Sequence, residues 1–310
     1  MLLNIKNNQL AHPFVNDGLP KFLSAKKQKT LKNSIEFQGI GLHTGNNVEM
    51  KLSPAPAETG VVFRKKIHNG LSLIEASYKN VKSTNLCTLL SDSKNNSVST
   101  VEHILSALYA YEVDNVYIDI NSNEIPVYDG SSRFFVNALK ETGFDDQDSY
   151  KKFIRIKKNI EVREGNKIAR VSPFDNTLIT TEVCYDHPAI GKQSISLILE
   201  PNIYETQVSP ARTFGFLKDV EELRKNGLAL GGSLDNAVVL DEDKVLNEDG
   251  IRFSDEFVRH KLLDFIGDIS LSGYRILGSF YSSHTGHSLN YQLIKKIFDS
   301  PDSWELICSN

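Results

Sequence analysis

The chain spells one arrangement twice, and that repetition restricts the possible folds more than anything else in it. From Thr30 onward, short strand candidates over Ser34–Leu42, Val48–Leu52, Gly60–Arg64 and Leu86–Leu90 are punctuated by Gly, Pro and Asn. A helix is predicted from Ser99-Thr100 to about Tyr111, then a strand over Val116–Ile120 and a helix over Arg133–Glu141. After a polar linker at Asp145–Ser149 the order returns. Strands are expected over Phe153–Arg163, Lys167–Ser172, Leu178–Cys184 and Ser194–Leu199. A helix over Asp255–Leu271, a strand over Tyr274–Tyr281 and a helix from about Gly286 to Phe298 complete the second half. Two units of this kind each have an apolar face to bury, and packing helix layer against helix layer in a pseudo-twofold buries both.

The helical stretch Phe257–Asp268 (FVRHKLLDFIGD) carries His260, Asp264 and Asp268 at successive i, i+4 steps. Each step rotates about 40° past a full turn, so the three share one slowly drifting face. A lone His/Asp pair at this spacing is more often a surface hydrogen-bonded pair than a metal site. The repeat changes that balance. Glu102-His103 at the head of the first long helix corresponds to Arg259-His260 in the second. A pseudo-twofold brings the two histidines together and unites His103, His260 and Asp264. Three protein ligands with one open position is the arrangement of a catalytic zinc site.

Other residues bear on chemistry with a plainer alternative beside each. Ser99-Thr100-Val101-Glu102 fits a capping box in which Glu102 serves only its own helix. Next to a metal ligand, the same carboxylate could take a proton from water held at the open position. No HExxH is present, which excludes a thermolysin-like helix. His287, where a strand ends and a helix begins, could donate a proton to a leaving amine, with Asp268 holding its ring. His284 is equally readable as a helix-start hydrogen bonder. Thr213 could be an oxyanion donor, although Thr in a turn usually bonds its own backbone. His43 reads as a structural turn histidine, and His12 and His68 carry no assignment. An insertion in the second half, with amphipathic Leu217–Arg224, Gly227–Gly232 (GLALGG) and apolar Ala237–Leu240, is either core padding or an apolar slot.

Composition narrows the class. The 310 residues are 40% hydrophobic with a net charge of -4, which gives no reason to expect nucleic acid as a partner. No apolar run approaches the roughly 20 residues of a membrane helix. Cys87, Cys184 and Cys308 are far apart and form no CxxC, which fits a reducing compartment and not a structural zinc knuckle. Residues 1–29 are lysine-rich, without a sustained period or a secretory core, and read as a disordered or loosely docked extension. The segment has no Arg and a single Ser, which disfavours organelle targeting and leaves the cytoplasm as the expected compartment.

The ordered set GIGLHTG (39–45), STVEH (99–103), EIPVYDGS (124–131), ARTFGF (211–216), GGS (231–233), LNEDG (246–250) and FVRHKLLDFIGD (257–268) resembles the UDP-3-O-acyl-N-acetylglucosamine deacetylases, which make the committed step of lipid A synthesis. The resemblance spans about residues 29–300; each motif is weak by itself and the order makes the set specific. It implies an α+β fold of two similar domains, over 30–146 and 151–310, each a strand layer and a helix layer, with the helices sandwiched between the sheets. It implies Zn²⁺ on His103, His260 and Asp264, although Fe²⁺ also suits such a donor set. Glu102 looks like the general base, His287 the general acid supported by Asp268, and Thr213 a helper in polarising the acetyl carbonyl. Lys261 looks like a substrate contact. Lys167 and Tyr185 match positions that meet UDP, Tyr185 replacing a commoner Phe at little cost to stacking. Phe214, Val220 and Ser233 fall in or beside the apolar passage for the 3-O-acyl chain, here about 215–240. His284 stands where a Lys is common, which weakens a phosphate contact at neutral pH. The implied working form is a monomer acting on a small-molecule substrate. Two other readings remain at this point. A non-catalytic sugar-nucleotide or acyl-chain binding protein would lack a ligand, the base or the acid. A deacetylase of another N-acetylated sugar would not need the apolar slot.

Overall fold

A computed structural model of the chain describes residues 23–68 and 70–309. The first half comprises β1 (Lys27–Leu31), β2 (Ile35–Ile40), β3 (Asn47–Pro54), β4 (Val61–Ile67), β5 (Gly70–Glu75), β6 (Val81–Ser83), β7 (Leu89–Ser91), β8 (Ser97–Val98), α1 (Glu102–Ala110), β9 (Val116–Ile120), α2 (Arg133–Thr142) and β10 (Phe144–Tyr150). The second comprises β11 (Lys152–Ile156), β12 (Ile160–Glu164), β13 (Lys167–Ser172), β14 (Thr177–Cys184), β15 (Lys192–Ile198), α3 (Pro201–Gln207), β16 (Phe214–Phe216), α4 (Leu217–Lys225), β17 (Val238–Leu240), α5 (Glu256–Ser270), β18 (Arg275–Ser283), α6 (His287–Phe298) and β19 (Trp304–Cys308).

The repeat is visible in the sheets. In the first half the order is β2-β3-β9-β4-β5, with β9 antiparallel to β3 and parallel to β4. In the second, β12-β13-β18-β14-β15 has the same pattern, with β18 antiparallel to β13 and parallel to β14. Each central strand follows one long helix and precedes another. The start of β18 also pairs with β11, which in turn pairs with β19. The result is the expected α+β fold of two similar halves.

α1 and α5 are the innermost elements. Ile104, Leu105, Ala107 and Leu108 of α1, and Leu262, Leu263, Phe265, Ile266 and Ile269 of α5, are all buried. Apolar residues around most of the circumference put a helix inside a core and not on its surface. The two helices touch where α5 has no side chain: a Cβ on Gly267 would lie 2.2 Å from the backbone oxygen of Glu102.

Several expected boundaries shift, for identifiable reasons. Asp145–Ser149 is not a linker; it lies within β10, which pairs antiparallel with β1 and turns its acids outward. The single strand expected over Phe153–Arg163 is two, because the polar Lys157–Asn159 stretch breaks it into β11 and β12. The first long helix starts at Glu102 and not at Ser99, since Thr100 holds a left-handed backbone (φ 58°). The expected strand at Gly60–Arg64 is one arm of a hairpin whose other arm, β5, had no signal beyond Leu71, Leu73 and Ile74. Of the expected extension, residues 1–22 lie outside the described residues, while Leu23 is buried on Phe153, Leu277 and Ile307 and Lys27 begins β1.

A Gly267→Ala substitution should destabilise the protein by about 1–3 kcal/mol, because one methyl group must push two buried helices apart. Urea unfolding with an unchanged m value checks this.

Candidate metal centre and catalytic cleft

The start of α1 is aimed by its entry. Thr100 reverses the chain with its positive φ, and its hydroxyl donates to Glu124 Oε1 (3.0 Å). Glu124 is fully buried and also accepts from the backbone N–H groups of His43 and Thr44. The helix then presents Glu102 and His103 to α5. There is no capping box. The Ser99 hydroxyl donates to the Asn123 carbonyl, and Glu102 Oε2 accepts the Thr88 N–H (3.2 Å).

His103 Nε2 lies 3.7 Å and His260 Nε2 3.4 Å from Asp264 Oδ1. One donor atom from each of the three buried residues falls within 4.8 Å of the others. Ligands on neighbouring corners of a tetrahedral zinc site with 2.0–2.1 Å bonds are about 3.3 Å apart, close to these spacings. Their chemistry also fits a cation. Burial, with His260 beside it, lowers the His103 pKa to about 3, and burial lowers that of His260, so both rings are neutral. His260 Nδ1 donates to the Ala211 carbonyl (3.1 Å), which leaves the Nε2 lone pair facing the other donors. Burial alone would raise the Asp264 pKa, but Lys261 and the histidines hold it well below the usual carboxylate range. Lys261 Nζ donates to Asp264 Oδ2 (2.8 Å), and that carboxylate keeps the lysine cationic against burial.

A second constellation adjoins the first. Asp268 is not part of the donor set. Its Oδ2 accepts from His287 Nδ1 (2.9 Å) and Asn290 Nδ2 (2.8 Å), which turns His287 Nε2 towards Glu102 Oε1, 3.7 Å away. Burial by itself would lower the His287 pKa, but Asp268 and Glu102 outweigh it and raise it to about 10. Burial raises the Glu102 carboxyl to about 7, opposed by His287 and reinforced by Asp264. A near-neutral carboxyl and a retained imidazolium, side by side, can take up one proton and deliver another.

Glu102, His103, His260, Asp264 and His287 line a cleft of about 1090 Å³, with Asp268 behind His287. Thr213 lines it. Its backbone is fixed by N–H donation to Gly130 and by acceptance from Val238, and its hydroxyl makes no hydrogen bond among the described residues. Phe214 stands edge-on to Tyr185 (5.8 Å) and near His260 (6.3 Å), with Lys261 Nζ over its ring (5.6 Å). Lys167, exposed at the start of β13, and Val220 and Ser233 of the insertion complete the expected lining. His284 does not line the cleft; its Nδ1 contacts Ser283 Oγ (2.8 Å). His43 does line it, with its Nδ1 buried and unbonded among the described residues, a placement that its reading as a turn residue missed.

The insertion builds one wall. β16 and β17 pair in parallel around α4, a helix with no buried residue. Val220 and Leu223 of α4, with Leu217, Leu228, Ala229 and Leu234, line an apolar arm of the cleft. The wall leans on the first half. Leu230 and Gly231 donate backbone N–H groups to His43 and Leu42, and a Cβ on Gly231 would lie 2.2 Å from the Gly41 oxygen.

Sequence reasoning overlooked the pair that fixes Ala211. The Arg212 backbone N–H and Nε both donate to Glu256 Oε1 (2.9 Å each), and Nη2 donates to Oε2 (3.1 Å). Glu256 is wholly buried in the first turn of α5, so the loop carrying Ala211 and Thr213 is bolted to the helix carrying His260 and Asp264. An Arg inside an otherwise apolar motif was the available signal. Glu256→Ala strands the Arg212 cation and should cost about 3–5 kcal/mol. Chemical denaturation at neutral pH measures that loss.

The family model described as UDP-3-O-acyl N-acetylglycosamine deacetylase matches residues 28–299. A UDP-3-O-acyl-N-acetylglucosamine deacetylase of Idiomarina loihiensis is 46% identical over 283 residues, covering 91% of this chain and 92% of the relative. Those of Mannheimia succiniciproducens and Haemophilus influenzae are 46% and 44% identical, with 91% of this chain and 93% of each relative covered. On a family match spanning most of its length and relatives this similar, the chain belongs to the UDP-3-O-acyl N-acetylglycosamine deacetylase family.

Proposed function

We propose that the cleft hydrolyses the 2-N-acetyl group of UDP-3-O-((R)-3-hydroxyacyl)-N-acetylglucosamine, releasing acetate in the committed step of lipid A synthesis. The observation that carries this reading is the meeting, in a cleft with an apolar arm, of a His/His/Asp donor set with the Glu102–His287 pair that Asp268 holds from behind. His103, His260 and Asp264 would hold Zn²⁺, which would supply Lewis acidity to the acetyl group and the water.

Glu102 takes the proton from the attacking water. Its burial, which raises its pKa to about 7, makes it a stronger base than an exposed carboxylate. The unengaged Thr213 hydroxyl donates to the acetyl oxygen as negative charge develops there. His287, held by Asp268, gives its Nε2 proton to the departing amine. Lys261, cationic beside Asp264, offers its remaining N–H donors to the sugar nucleotide, and Lys167 and Tyr185, which also line the cleft, contact the diphosphate and uracil. Phe214, Val220 and Ser233 border the space for the 3-O-acyl chain, whose methylenes are each worth about 0.8 kcal/mol when buried. No described helix is long and apolar enough to cross a membrane, and free cysteines fit the cytoplasm.

Glu102→Gln should lower acetate release by about 10²–10⁴-fold with the fold retained. Measured against UDP-GlcNAc, which lacks the acyl chain, the unmodified enzyme should turn over far more slowly. Equal rates on both would mean a deacetylase of another sugar, and no turnover by folded, zinc-loaded protein would leave a binding function.

The pH profile should be bell-shaped. Glu102 accepts a proton only when ionised, so turnover falls as pH drops through about 7 or lower, since a bound cation favours the carboxylate. His287 donates only when protonated, so turnover falls as pH rises through about 10. In His287→Ala the alkaline limb should disappear; an unchanged alkaline limb would assign it to another group.

A further inference from the structure

The proposed base and the carboxylate that orients the proposed acid belong to different halves of the molecule, yet one residue touches both. Thr88, buried just ahead of β7, gives its backbone N–H to Glu102 Oε2 (3.2 Å) and its hydroxyl proton to Asp268 Oδ1 (2.7 Å), 180 positions away. Asp268 divides its donors. Oδ2 takes His287 and Asn290, and Oδ1 takes the Thr88 hydroxyl. Thr88 does not line the cleft, so its hydroxyl is not placed to meet substrate. A threonine outside regular structure ordinarily bonds its own backbone neighbours. Here the hydroxyl is committed to a buried carboxylate of the other half.

We propose that Thr88 is a positioning residue for the deacetylation, setting the distance and orientation between the Glu102 arm and the Asp268–His287 arm; this rests on the roles given to Glu102 and His287 above. The physical argument is one of satisfied lone pairs. Without the hydroxyl, Asp268 Oδ1 is a buried anionic oxygen with no described donor, a costly condition that the carboxylate relieves by rotating. Rotation breaks its alignment with His287 Nδ1, and the imidazole follows. A proton donor displaced by a fraction of an ångström loses rate while ground-state binding, made elsewhere in the cleft, is retained.

The test is steady-state acetate release from UDP-3-O-acyl-GlcNAc by full-length, zinc-loaded Thr88→Val, Thr88→Ser and Asp268→Ala enzymes, and by the Thr88→Val/Asp268→Ala double variant. Valine keeps the shape and the backbone N–H and removes only the hydroxyl. We expect kcat to fall on the order of tenfold in Thr88→Val, with KM and zinc stoichiometry unchanged, and to recover in Thr88→Ser. In the Asp268→Ala background the valine should cost nothing further, the signature of two residues acting through one path. Wild-type kcat in Thr88→Val, failure of serine to restore it, or a full second loss in the double variant would each overturn the proposal. If valine prevents folding, Thr88→Ala makes the same comparison. Glu102→Gln and His287→Ala run alongside separate the two levels. If both keep their turnover, the acid and base roles fail; if both lose it while Thr88→Val does not, only the role of Thr88 fails.

Discussion

Helix α1 can deliver its first two residues to α5 because, at the point of closest approach, α5 carries a glycine. Side chains usually hold helix axes 8–10 Å apart. At Gly267 the Glu102 carbonyl comes so near that even a methyl group has no place. His103 therefore meets His260 and Asp264 at ligand spacing, and Glu102 meets His287. The pseudo-twofold is thus more than a way to bury two sheets: it brings one donor from α1 to two from α5 across the seam.

Three acids lie within this seam, and their neighbours give them different behaviour. Asp264 has Lys261 on one oxygen and histidine nitrogens near the other, and stays ionised. Asp268 has both oxygens occupied by donors and holds the His287 ring. Glu102 accepts the Thr88 N–H and faces His287 Nε2, but burial outweighs these neighbours and raises its carboxyl to about 7. Low dielectric makes such assignments stable, since each hydrogen bond counts for more where water is absent.

What could be read from the sequence follows the range of the interactions. The repeat, the two long helices and the His-x₃-Asp spacing on α5 are periodic and local, and periodicity survives in a string of letters. The two five-strand sheets match each other in pairing pattern, although β5 was not expected and β12 was expected joined to β11. Contacts between distant residues left little trace. Arg212 with Glu256, Thr88 with Asp268 and Glu124 with the 43–44 loop join positions from 44 to 180 apart, and no pattern announces such partners. The 144–150 strand was missed because its backbone pairs with β1 while its side chains are mostly polar, so hydrophobicity carried no signal. The supposed capping box at Ser99 failed for a related reason: Thr100, in a backbone state few threonines adopt, uncoupled Ser99 from the helix.

The apolar wall is built on different terms from the donor set. α4 buries none of its residues, and the turn after it rests on the 41–45 loop through two backbone hydrogen bonds that do not depend on which side chains are present. Residues such as Leu217 and Leu234, about half exposed at 49% and 48%, add little to the folded core. Natural variation at these positions is therefore cheap for the fold and changes none of the three donors. If the wall receives the acyl chain as proposed above, a lineage whose lipids change length can re-cut it through single substitutions without altering the three donors, so wall and donor set are free to evolve at different speeds.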